Sequence, residues 1–198
     1  MGNPTNRTTR REALALASAV AAAAFAPGAE ASAGVRRPLR RVVTSEDAAG
    51  NAVVFADDEP TNTFVMNGTR VTRVWESPTV PARLPAVTDL GETAGNAYRE
   101  GFRGTSFYVA EIPPGSDEAD IPMHQQDTLD YMAVLSGSIV LRLPDRDIEL
   151  RAGDTLVQAG NLHTWINRGE EPCVLLFVVV AGERMVSPEV VPTPGGHG

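Results

Sequence analysis

Two histidines stand at places in this 198-residue chain where side chains could converge. His124 opens "HQQDTLD", with Gln126 two residues on, Asp130 four beyond that, and Gly137 after six more residues. His163 lies in "GDTLVQAGNLHTWINRG", behind Gly160 and four residues before Asn167. Alternate residues of a strand share a face, so His124 and Gln126 can look the same way. By the same rule Asp130 and Met132 share a face with Val134, and His163 shares one with Trp165 and Asn167. The chemistry on offer is metal coordination by two imidazoles and a carboxylate, or acid–base work by a histidine beside an aspartate.

Strands must position such a set. "NAVVFADDEPTNTFVMNGTRVTRVWE" contains three short β-prone runs broken by "DDEP" and "NG". The following "SPTVPARLPAVTDLGETAGNAYREGFRG" holds no sustained period and reads as a long loop, a candidate lid or partner-binding segment. Further strands are expected in "GTSFYVAEIPPG" and near 130–135, 138–143, 147–150, 155–158, 162–167 and 173–180, with glycine- and proline-rich turns between them. No stretch after residue 33 carries a capped helical period. The fold class expected is all-β, a jelly roll or closed barrel.

The two constellations resemble the paired motifs of the cupin superfamily. His124, Gln126, Asp130 and Gly137 fall on the first motif's two histidines, glutamate and closing glycine. Gly153, Gln158, Gly160, His163 and Asn167 fall on the second, one residue short before a glutamine that replaces its proline. The resemblance implies a double-stranded β-helix over about 104–185, with residues 34–103 supplying extra N-terminal strands and the long loop. It also implies a small-molecule pocket with His124, Asp130 and His163 as catalytic residues and Gln126, Trp165, Met132 and Glu111 as substrate neighbours. The implied cofactor is one divalent metal (Fe, Mn, Zn or Ni) on His124, Gln126, Asp130 and His163, with no nucleotide.

A metal-free site follows equally from these residues. Aspartate is shorter than the family's glutamate by one carbon–carbon bond, about 1.5 Å, whereas metal–ligand distances tolerate only about 0.2 Å. The alternative is a polar cluster working by proton transfer. The superfamily spans isomerases, dehydratases and dioxygenases as well as binding proteins, so two readings stand: an enzyme on a small organic substrate, or a non-catalytic sensor.

Other residues carry plainer expectations. Glu111 is read as either an inward second carboxylate on a face with Phe107 and Val109, or a solvated rim group. Tyr108 and Tyr131 are read as wall or interface aromatics, and Cys173, in "EPCVLLFVVV", as a buried thiol. Residues 1–33 show Arg10 and Arg11 ahead of an alanine-rich run and small-residue cleavage sites, the layout of an export signal resembling the twin-arginine type. Its removal takes away three arginines and two glutamates, a net +1, and moves the charge from −8 to −9. An acidic domain without a basic run excludes nucleic acid as a partner. The expectation is an exported, periplasmic or extracellular homodimer, free of the membrane after processing, with a disordered tail at 186–198.

Overall fold

Alternation along each strand and a tight turn after it set the elements. The computed structural model describes residues 38–92, 99 and 101–185; the signal-like 1–33 and the tail at 186–198 lie outside them. The described strands are β1 (Arg41–Glu46), β2 (Ala52–Asp58), β3 (Thr63–Met66), β4 (Thr69–Ser77), β5 (Thr105–Ile112), β6 (Thr128–Ser136), β7 (Ser138–Arg142), β8 (Asp147–Arg151), β9 (Thr155–Ala159), β10 (Thr164–Ile166) and β11 (Cys173–Ala181). No helix occurs among the described residues.

Two antiparallel layers result. One is ordered β3-β4-β5-β11-β6-β9, the other β10-β7-β8, and a short stretch at His124 pairs with His163 just before β10. From β5 onward the chain passes back and forth between the layers, which is a double-stranded β-helix, or jelly roll. Burial along β6 shows the parity that builds it: Asp130, Met132 and Val134 face in, while Tyr131 and Leu135 face out. Ile112, Met132, Val134, Ile139, Leu141, Trp165, Cys173 and Leu175 fill the space between the layers. Cys173 is fully buried there, a packed thiol.

The N-terminal strands extend the first layer in the same chain. β4 pairs with β5 from Arg70 to Ser77, with a bulge between Arg73 and Trp75, and β3 pairs with β4. A second apolar group forms where they join, from Val71, Phe102, Tyr108, Ala110 and Val179. The β1–β2 hairpin is held by Arg41, whose buried guanidinium forks onto Asp58 at 2.8 and 2.7 Å and onto Asp89 at 3.0 and 2.8 Å. Ser45 and Asn62 also bond the backbone of Ala86 and Gly91, so the long segment after β4 is tied to the N-terminal strands.

Gly137 turns β6 into β7 with φ of 77°, and a Cβ there would stand 3.1 Å from both the Cys173 Cα and the Pro172 carbonyl oxygen. Gly115 has φ of 76° but open space around it. Gly137→Ala therefore carries a steric penalty on top of the backbone cost that Gly115→Ala shares, of about 1 kcal/mol. In urea titrations Gly137→Ala should lose about 2–3 kcal/mol and Gly115→Ala about 1 kcal/mol; equal losses would show that the close approach is unimportant.

Candidate functional site

The site begins with a backbone contact. The His124 amide donates to the His163 carbonyl at 2.8 Å, and the His163 amide donates back to the His124 carbonyl at 2.9 Å. Residues that exchange both bonds are directly opposed, so their side chains leave the sheet on the same side. The two imidazoles accordingly stand with centroids 4.4 Å apart at an angle of 54°.

Each ring is then oriented by its own strand. His124 Nδ1 lies 2.8 Å from the Pro122 carbonyl, and His163 Nδ1 lies 2.9 Å from the Asn161 carbonyl. A carbonyl can only accept, so the proton sits on Nδ1 in both rings and Nε2 is left as the basic nitrogen. Both rings line one cavity of about 330 Å³. Burial holds His163 below the usual histidine pKa, against the Asn161 contact, with nearby His124 adding to the depression.

Asp130 and Gln158 lie side by side in that cavity. They are register partners across β6 and β9, and are 6% and 4% exposed. Asp130 Oδ1 and both polar atoms of Gln158 have no hydrogen-bond partner within the protein. Unmet polar groups of this kind cost about 1–3 kcal/mol each. Burial raises the Asp130 pKa from 3.8 to about 6, against the opposing effects of a Thr128 hydrogen bond and the His124 charge.

The side chains were tested against the divalent centre that the motif implies. His124, Gln126, Asp130 and His163 do line one cavity. Among the described residues, however, no three His, Cys, Asp or Glu groups stand close enough to share one ion. Two Nε2 atoms without a third converging charged ligand do not make the two-histidine, one-carboxylate centre.

The walls come partly from strands that the motifs do not touch. Phe64 and Met66 of β3, Thr69 and Val71 of β4, and Tyr108 of β5 line the cavity beside Trp165 and Phe177. Trp165 meets His163 edge-on at 5.8 Å and Phe177 at 6.5 Å. Behind the Tyr108 ring lies buried Arg73, which donates to the Tyr108 hydroxyl at 3.1 Å and pairs with Glu76 at 3.5 Å. Glu76 also accepts from Arg99 at 2.6 Å.

Two expectations need correction. Glu111 is not a pocket residue: the inward face of β5 carries Tyr108, Ala110 and Ile112, and Glu111 faces Arg70 across the opposite face at 3.6 Å. Met132 has the inward parity but sits too deep, packed in the core rather than lining the cavity. None of the described residues of the segment after β4 lines the cavity. Asn167, the motif's last residue, anchors a turn by donating to the Ile112 and Glu171 carbonyls. Gln158 and the β3–β4 lining went unread as site residues; the one signal was the glutamine replacing the motif's proline.

Residues 108–179 match the Cupin_2 family model, a cupin domain. A cupin-domain-containing oxidoreductase of Neurospora crassa is 26% identical over 151 residues, 74% of this chain and 75% of its own. Two phomopsin biosynthesis cluster proteins of Diaporthe leptostromiformis are each 35% identical over 66 residues, 33% of this chain and 33% of theirs. Among solved structures, the cupin domain of Schizosaccharomyces pombe Cnp3 aligns with a TM-score of 0.45 at 12% identity, covering 74% of this chain and 89% of that one. A cupin 2 conserved barrel domain protein from Salinispora arenicola gives a TM-score of 0.41 at 16% identity, covering 66% and 90%.

The Asp130 environment has a measurable consequence. A carboxyl whose pKa rises from 3.8 to about 6 on folding holds its proton more tightly in the folded chain. Its protonation favours the folded state at low pH, and that advantage is lost as pH rises from about 4 through 6. Asp130→Asn should therefore gain stability over the wild type by up to about 3 kcal/mol at pH 7 and little at pH 4. Paired denaturation curves across that range check this; a difference independent of pH would contradict it.

Proposed function

We propose that this chain, whose residues 108–179 match the Cupin_2 family model, is an enzyme that moves a proton on a small, largely apolar organic substrate. The observation that carries the reading is the pair of Nδ1-anchored imidazoles, His124 and His163, lining one cavity with a buried carboxyl. His163, kept neutral by burial, is the base, because its Nε2 lone pair is available near neutral pH. His124 stands beside it as the proton's second stop, and mutual repulsion favours one proton shared between rings 4.4 Å apart. Asp130 is the reserve acid, since at a pKa of about 6 a useful fraction keeps its proton. Phe64, Tyr108, Trp165 and Phe177 lower the polarity around these groups and strengthen their interactions.

The name of the Neurospora relative supports catalysis over binding alone, at the level of class only. Export belongs to the same reading, on the strength of Arg10, Arg11 and the alanine-rich run that follows. So does a homodimer as the working unit.

The test uses oxindole, a neutral bicyclic compound with an exchangeable C3 hydrogen, in deuterated buffer. The wild type should speed deuterium entry at C3, and His163→Ala and His124→Ala should each lose about 10²–10⁴ of that acceleration. Dialysis against chelator should leave the rate unchanged. Tight binding without exchange would instead favour the sensing alternative, and loss of rate on chelation would restore the metal-assisted version.

A further inference from the structure

We infer that Asp130 and Gln158 form a hydrogen-bonding clamp that selects an uncharged ring compound presenting a donor and an acceptor side by side. The inference rests on the cavity being the working site, as above, but not on which residue moves the proton. Three observations carry it.

The first is the set of free atoms. Gln158 offers one acceptor and one amide donor, both unpartnered, at 4% exposure, and Asp130 Oδ1 adds a third site next to them. Register pairing across β6 and β9 fixes the two side chains as neighbours on the inner face, so a single ligand edge meets both. A lactam or a hydroxyketone has such an edge, whereas a hydrocarbon or a lone carbonyl does not.

The second is the apolar part of the lining. Phe64, Val71, Trp165 and Phe177 give the clamp apolar and aromatic surroundings. These suit the flat body of a ring compound.

The third is charge. The ionisable groups lining the cavity are His124, His163, Asp130 and Tyr108; no lysine or arginine is among the lining residues. Buried Arg73 donates to the Tyr108 hydroxyl and is engaged by Glu76. A phosphate or sulfate ester would enter beside a carboxyl with no lysine or arginine to meet it, so anionic sugars are disfavoured.

The experiment measures binding by Trp165 fluorescence and calorimetry with four probes: oxindole, N-methyloxindole, indane and 1-naphthyl phosphate. The wild type should bind oxindole about tenfold more tightly than N-methyloxindole, which has lost its donor, and indane and the phosphate more weakly still. Gln158→Leu, close in volume, should bring oxindole and N-methyloxindole within about twofold of each other. The same variant should melt at or above the wild-type temperature, because it removes polar atoms that have no protein partner. A Gln158 needed only for the fold would instead lower the melting temperature and leave selectivity intact, which overturns the clamp. Equal binding of the two lactams by the wild type, or tightest binding of the phosphate, also overturns it. Selective binding of oxindole without deuterium exchange upholds the clamp and sinks the proton-transfer reading. Exchange with unaltered selectivity in Gln158→Leu does the reverse.

Discussion

The reciprocal backbone pair between His124 and His163 is the constraint on which the site depends. Two hydrogen bonds join a short stretch before β6 to the approach of β10, and they decide that both imidazoles leave on the same side. The Pro122 and Asn161 carbonyls then set the tautomer of each ring. Neither decision needs a metal or a ligand; the basic nitrogens are placed by the fold alone. Thr164, next along, secures the same crossing by donating to the Ile121 carbonyl.

Around that pair the chain divides its labour. The barrel supplies the chemistry, through His124, Asp130 and His163, and also the floor, through Trp165 and Phe177. The N-terminal strands supply much of the remaining wall, through Phe64, Met66 and Val71. The buried Glu76 carboxylate pairs with both Arg73 and Arg99. Arg73 also holds Tyr108 by donating to its hydroxyl. Burial raises the Asp130 pKa and leaves the polar atoms of Gln158 beside it without a protein partner, so the polar atoms on this part of the wall matter most.

Much of this was legible in the sequence because motif spacing and strand parity report the same geometry. The period of two placed Asp130 with Met132 and His163 with Trp165, and the glycine turns marked where each run ends. Parity failed at Glu111 because β5 reads "SFYVAEI", apolar on both faces, so the sequence alone does not say which face is inner. For Met132 the face was right and the depth was not, since burial along a strand depends on what packs opposite. The β3–β4 lining was invisible for a different reason: it exists only through pairing of β4 with β5, a long-range contact with no local signature. Gln158 was noticed only as a departure from a motif. Its importance appears when Asp130 is found beside it and neither side chain's free atoms have a partner. The metal expectation came from the motif's ancestry, and the side chains as placed do not form its third ligand.

The central claim is that both histidines present Nε2 lone pairs to one cavity. Nitrogen-15 NMR of the imidazoles in the metal-free protein near pH 7.5 tests it most directly, with His124→Ala and His163→Ala used to assign the signals. The account predicts that His163 shows a protonated, hydrogen-bonded Nδ1 and an unprotonated Nε2, and that the neutral form of His124 shows the same. Signals showing the proton on Nε2 in either ring would contradict it, because that nitrogen would then be neither base nor ligand.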